Sequence, residues 1–112
     1  MQDLINETMD SYNHYIKKVI EGSLQIADKL RGEELKEALT LIGDFSEGTL
    51  WLIDVNQKLA ELDYSVKLDM ENIQTFLMEI NDGLQKQDYV LVADMFEYEI
   101  LPFFEQLELY KI

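Results

Sequence analysis

The stretch from Ile5 to Leu30, INETMDSYNHYIKKVIEGSLQIADKL, decides the fold. Ile5, Met9, Tyr12, Ile16, Val19, Ser23, Ile26 and Leu30 follow one another at alternating intervals of four and three. That spacing puts one side chain per turn on a single helix face, and such a face needs a partner helix to cover it. The expected architecture is therefore helix packed on helix. Helix 1 is expected from about Asp3 to Arg31. Lys29 and Arg31 fall in its last turn, where cations suit the dipole, and Gly32 follows as the C-cap.

Working outward, Glu33 and Glu34 open a second helix with acids in its first turn, so Lys29 to Glu34 reads as a tight turn between antiparallel helices. Helix 2 is expected to run to about Leu62. Leu35, Ala38, Ile42, Phe45, Thr49, Leu52, Asn56 and Leu59 repeat the alternation. Leu39, Leu41, Leu50, Ile53, Val55 and Ala60 widen the stripe, which predicts more than one neighbour. Gly43 and Gly48 each cost about 1 kcal/mol against alanine inside a helix, and close helix approach would offset that.

From Leu62 to Leu68 the period changes to strict alternation, with Leu62, Tyr64, Val66 and Leu68 apolar. No second strand exists for such a segment to pair with, so an extended crossover is predicted, laying alternate side chains onto the helices. Asp69 is the expected N-cap of helix 3, whose stripe is Met70, Ile73, Leu77, Ile80 and Leu84 with Phe76 beside it. Helix 3 ends either at Asn81-Asp82-Gly83 or near Lys86. Asp88 caps helix 4, with Tyr89, Ala93, Phe96, Ile100, Phe103, Leu107 and Tyr110 on one face. Pro102 removes the bond to the Tyr98 carbonyl, which predicts a kink or break near Leu101. The fold class expected is all-α: a single domain over residues 1–112, an antiparallel four-helix bundle with one extended crossover between helices 2 and 3. A helical hairpin that completes its core by dimerising is the alternative.

Composition narrows the function. With 112 residues and 47% hydrophobic content the chain can bury a core unaided. It has no cysteine, so disulfides, thiolate zinc sites, iron–sulfur clusters and a cysteine nucleophile are excluded. The start, Met-Gln-Asp-Leu-Ile-Asn-Glu, has neither the basic residues nor the apolar run of a secretory signal, and no segment is apolar enough for a membrane span. A cytoplasmic protein is expected. The net charge of −14, from 23 acids against nine bases, opposes nucleic acid and anionic membranes and favours a basic partner or simple solubility.

Chemistry has little to build on. His14 is the only histidine and has no orienting partner in the pattern; it reads as a surface or boundary residue rather than a lone acid/base. Ser11, Ser23, Ser46 and Ser65 have no base at telling spacing, and the five glycines form no phosphate loop. No cofactor is expected. Helix 4 carries Asp88, Asp94, Glu97, Glu99, Glu105 and Glu108 with no base, together with Tyr89, Phe96, Tyr98, Phe103 and Phe104. Five aromatics exceed what one stripe hides, which places Tyr98 or Phe104 at the edge. Two readings stand: a core helix with an acidic outer face, or an acidic, aromatic docking surface for a basic or amphipathic segment, made of Asp94, Glu97, Tyr98, Glu99, Phe104 and Glu105. Trp51 reads as a core anchor or an interface residue, and the broad face of helix 2 admits a homo-oligomer.

Glu33, Glu34 and Glu37 at the start of helix 2, with Glu79 and Asp82 on helix 3, resemble the paired acid motifs of all-helical nucleotide pyrophosphohydrolases of the MazG type. The resemblance implies Mg²⁺ held by converging carboxylates. It covers those five positions only, and Trp51 stands where that pattern has a glutamate. A second resemblance spans nearly the whole chain. Phe45-Ser-Glu-Gly-Thr-Leu-Trp-Leu-Ile-Asp54 followed by Asp88-Tyr-Val-Leu-Val-Ala-Asp-Met-Phe-Glu-Tyr-Glu-Ile-Leu-Pro102 is similar to an uncharacterised family of small, acidic, all-helical proteins from Gram-positive bacteria. That resemblance brings no known activity. The general shape also resembles flagellar export chaperones, at the level of fold alone.

The expectation drawn from these residues is a non-catalytic protein–protein interaction module, adaptor-like or chaperone-like, that binds another protein and not nucleic acid or membrane. The alternatives are the Mg²⁺-dependent hydrolase and an acidic mimic of nucleic acid. The hydrolase requires both acid motifs to face one cleft. The docking reading requires an exposed apolar patch along helix 4 rimmed by Glu97, Glu99 or Glu105.

Overall fold

The computed structural model describes all residues, Met1–Ile112. It is all-helical and has no strand. Four helices follow one another: α1 (Gln2–Arg31), α2 (Leu35–Glu61), α3 (Met70–Gln85) and α4, which is continuous through α-helical Tyr89–Met95, π-helical Phe96–Ile100 and α-helical Leu101–Glu105. The molecule measures 46 × 21 × 20 Å. A 30-residue helix is about 45 Å long, so α1 spans its full length. α1 packs against α2 and against all three parts of α4, and α3 packs against α4 and touches α2.

Every residue of the α1 stripe, from Ile5 to Leu30, is buried. On α2 the buried set is Ala38, Ile42, Phe45, Thr49, Leu52, Val55 and Leu59. Leu35, Leu41 and Ile53 pack part-buried against this core, but the outer part of the broad face is not covered. Leu39, Leu50 and Trp51 are exposed in consequence. Trp51 is not a core anchor: its ring lies edge-on to Tyr15 at 6.0 Å on the outside of the helix pair. Tyr15 in turn donates to the Asp44 carbonyl at 3.2 Å. Its ring occupies the space a Cβ at position 48 would need, so glycine there is what lets the Tyr15 side chain lie over α2. Gly43 has nothing within 4 Å of that position, so the close approach expected there does not occur.

The ends of α1, α2 and α3 share one device. Beyond each helix a residue turns into the left-handed region: Glu33 (φ 64), Asp63 (φ 71) and Gln87 (φ 56). The next amide then reaches back over the last turn, Glu34 to the Lys29 carbonyl, Tyr64 to Leu59 and Asp88 to Gly83. These are Schellman closures made without glycine. Gly32 keeps an ordinary φ of −93, and α2 therefore opens at Leu35, after Glu34, rather than at Glu33. Asp69 and Asp88 cap α3 and α4 by accepting from the amides of Asn72 and Leu91.

Pro102 does not end α4, which runs on to Glu105. The Leu101 amide bonds to the Phe96 carbonyl, five residues back, so the helix widens into a π-turn just before the proline. The wider turn tolerates the missing donor of Pro102 without a break. It also sends Phe96, Ile100 and Phe104 inward together. Phe76, Phe103, Phe104, Phe45 and Phe96 then meet edge to face in succession, with centroids 5.1 to 6.1 Å apart. This chain of rings is how most of the aromatics of α4 are hidden.

Two extended segments complete the molecule. In the crossover, Tyr64, Val66 and Leu68 are half-buried and the residues between them exposed, as the alternation predicts; Leu62 is exposed. Asn56 of α2 donates to the Val66 carbonyl at 3.0 Å. The residues after α4 form a strap back to α1, where the Asn13 side chain bonds both backbone groups of Tyr110. The Lys67 amide donates to Glu108, which ties the crossover to the strap.

Candidate functional site

The acids of helix 4 divide into two groups. Arg31, at the end of α1, bonds Asp94 at 2.8 Å through one nitrogen and Glu97 through another. These bonds, Glu97 first, raise the Arg31 pKa. Asp94 and Glu97 thus have an internal partner and fasten α4 to α1. Glu99 and Glu105 are exposed and enter none of the chain's ion pairs. Phe104 is 1% exposed and belongs to the core, not to a surface; the π-turn carried it inward. Tyr98 is 66% exposed.

A groove next to Glu99 joins exposed apolar residues to carboxylates. It runs between α3 and α4 and has a volume of about 670 Å³. Leu91 and Met95 form its α4 wall with Glu99 at the end; Met78, Glu79 and Asp82 stand on the α3 wall. Met78 is 73% exposed and Leu91 is 47% exposed, and Met95 closes the floor. Val90 and Tyr98, outside the groove lining, are also exposed on α4. α3 can approach α4 this closely because position 83 is glycine: a Cβ there would come within 2.7 Å of the Val92 side chain.

The C-terminal part of the chain is strongly acidic. Between Leu68 and Tyr110 there are ten acids and a single base, Lys86. Lys86 is already paired with Asp82 at 3.0 Å. Glu79 and Glu99 both line the groove, and neither enters an ion pair. Sequence reasoning missed Met78, Val90 and Leu91. Their signal was present, since each is a large apolar residue lying off the stripe of its own helix.

The two acid motifs do not meet. Glu34 and Glu37 both bond Lys29, at 3.7 and 2.6 Å, where they close the turn between α1 and α2. Glu37 lines a cleft beside Lys36 on that turn, whereas Glu79 and Asp82 line the α3–α4 groove. Nowhere do three or more Asp, Glu or His side chains stand close enough to hold a metal ion. His14 is exposed. No helix is long and apolar enough to cross a membrane.

Three buried polar side chains carry structure rather than chemistry. Ser23 donates to the Val19 carbonyl and Thr49 to the Ser46 carbonyl. The Tyr12 hydroxyl is fully buried and closes no well-formed hydrogen bond, the Asn56 amide standing near it without completing one. Its pKa is driven up by burial first and by the neighbouring Tyr110 hydroxyl second, with the Asn56 amide opposing.

No curated protein and no solved structure matches the chain. Residues 7–109 match the family described as Domain of unknown function (DUF8042). That match spans helices α1 to α4 and most of the strap, and the chain belongs to this family.

Proposed function

We propose that the protein is a non-catalytic interaction module that takes a basic, partly apolar segment of another protein along the α3–α4 face. Its scaffold is an antiparallel four-helix bundle with one extended crossover. The observation that carries the reading is that exposed Met78 and Leu91 share one groove with Glu79 and Glu99, which enter no ion pair, while exposed Tyr98 neighbours Glu99 in the chain. Apolar side chains left in water gain from burial, and a rim of one sign selects an oppositely charged partner and speeds its approach. Asp94 and Glu97 belong to the fastening of α4, so the partner-binding set becomes Tyr98, Glu99 and Glu105 with Met78, Glu79 and Leu91. The separation of Glu37 from Glu79 removes the motive for a hydrolase.

The test is binding of a fluorescent lysine–leucine peptide to the full chain, read by anisotropy at low and moderate salt. Leu91→Asp with Glu99→Lys should weaken binding by at least about tenfold, since central apolar anchors dominate such interfaces. Glu21→Gln, on the α1 surface, changes the net charge by the same amount as that pair and should change binding only slightly. Equal losses from the two proteins would mean that the peptide senses net charge alone, and the reading would fail.

A further inference from the structure

The molecule shows how it holds extended chain. Both of its own extended segments lie on helices, and each is fixed by a side-chain amide reaching the backbone. Asn56 donates to Val66, and Asn13 pairs with both the N–H and the C=O of Tyr110 at 2.9 Å. An amide is suited to this because it offers a donor and an acceptor side by side, matching one residue of extended backbone. The α3–α4 groove carries two more such groups, Asn81 and Gln85, one turn apart on the α3 wall. Unlike Asn13 and Asn56, they make no hydrogen bond within the chain and stand exposed to solvent.

We infer that the α3–α4 groove binds an extended basic peptide, whose backbone pairs with Asn81 and Gln85 while its alternate side chains divide between the apolar floor and the acidic rim. This rests on the proposed function and specifies the partner. In an extended chain successive side chains point to opposite sides, so one set reaches Leu91, Met78 and Met95 and the other carries lysine or arginine to Glu79 and Glu99. The backbones of α3 and α4 are internally bonded and offer an incoming strand no edge, so side-chain amides supply the polar contacts instead. The 16 residues of α3 span roughly 24 Å, which accommodates about seven extended residues. Charge complementarity chooses the occupant: Glu79 and Glu99 line the groove without entering an ion pair, which excludes an acidic segment.

The experiment compares two peptides of about fourteen residues with identical leucine and lysine content. One alternates leucine and lysine; the other spaces leucine at helical intervals. Both are titrated into the full chain by anisotropy. The alternating peptide should bind at least about tenfold tighter, and Asn81→Ala with Gln85→Ala should cost it about tenfold while leaving the other peptide unchanged. Both substituted positions are exposed and alanine favours helix, so circular dichroism should show the fold intact. Tighter binding of the helical-period peptide, or no effect of the alanine pair, would overturn this inference and leave the proposed function standing. Failure of both peptides to bind would overturn both. A groove occupied by a second copy would appear as a dimer in sedimentation that Leu91→Asp dissociates, and that too would overturn the basic-peptide assignment.

Discussion

Asn13 and Tyr110, 97 residues apart, are joined by two hydrogen bonds of 2.9 Å: the Asn13 amide donates to the Tyr110 carbonyl and its oxygen accepts from the Tyr110 N–H. The Tyr110 ring lies edge-on to Tyr12 at 4.8 Å, one residue from Asn13 on α1. Backbone and side chain of the strap are thus held by adjacent residues. Asn13→Ala leaves both backbone groups of Tyr110 without a partner in a half-buried site. The expected loss is about 1–3 kcal/mol in urea unfolding. Hydrogen exchange at Tyr110 should accelerate more than exchange in the centre of α1, because the strap opens locally before the helices do.

Tyr12→Phe should stabilise the protein. The hydroxyl is buried without a well-formed hydrogen bond, which costs about 1 kcal/mol or more. The substitution should also change the pH dependence. Unfolded, the phenol ionises near its ordinary 10.0; folded, burial keeps it protonated to higher pH. Its raised pKa therefore contributes stability that is intact below pH 10 and is lost as pH rises beyond it. Tyr15 and Tyr110 are raised in the same direction by burial. Chemical unfolding at pH 7 and pH 11 should show a smaller alkaline loss in the Tyr12→Phe protein than in the parent.

How much of this was legible in the sequence depended on whether a pattern is local. The α1 stripe predicted its buried residues because period alone determines which side chains share a face. Asp69 and Asp88 were legible as caps for the same reason. The covering of a face is not local. Leu39, Leu50 and Trp51 look like core in the pattern of α2 yet are exposed, since only packing shows where a neighbour is absent. Pro102 announced a disturbance, but its form depended on Phe96 and Phe104 gaining more by staying inside than the helix lost by widening. The site was half legible. Tyr98 and Glu99 came from composition, whereas Met78, Glu79 and Asn81 joined them only once α3 was seen beside α4.

Gly43 and Gly83 should respond oppositely to alanine. Nothing lies within 4 Å of a Cβ at Gly43, so Gly43→Ala should stabilise by about 1 kcal/mol through helix propensity. At Gly83 the new methyl would meet Val92, a β-branched side chain with little freedom to move. Gly83→Ala should cost about 1–3 kcal/mol by overpacking. Thermal unfolding of the two variants side by side checks the signs.

Replacing the left-handed residues after the helices should also stabilise. Gln87 is exposed at φ 56, a conformation that glycine adopts without steric cost. Gln87→Gly should gain about 0.5–1 kcal/mol, the relief of left-handed strain being partly offset by unfolded-state entropy. A matched Lys86→Gly, at an ordinary helical φ of −84, should lose stability instead. Urea midpoints of the two proteins provide the comparison.

The central claim is that the acidic, apolar face between α3 and α4 is a binding surface. Its most direct test is an amide chemical-shift titration of the labelled chain with the alternating lysine–leucine peptide. The account predicts saturable shifts confined to Met78, Glu79, Asn81, Gln85, Leu91, Tyr98 and Glu99, with α2 and its exposed Trp51 unmoved. Shifts spread over acids on every helix, or centred on Leu50 and Trp51, would contradict it.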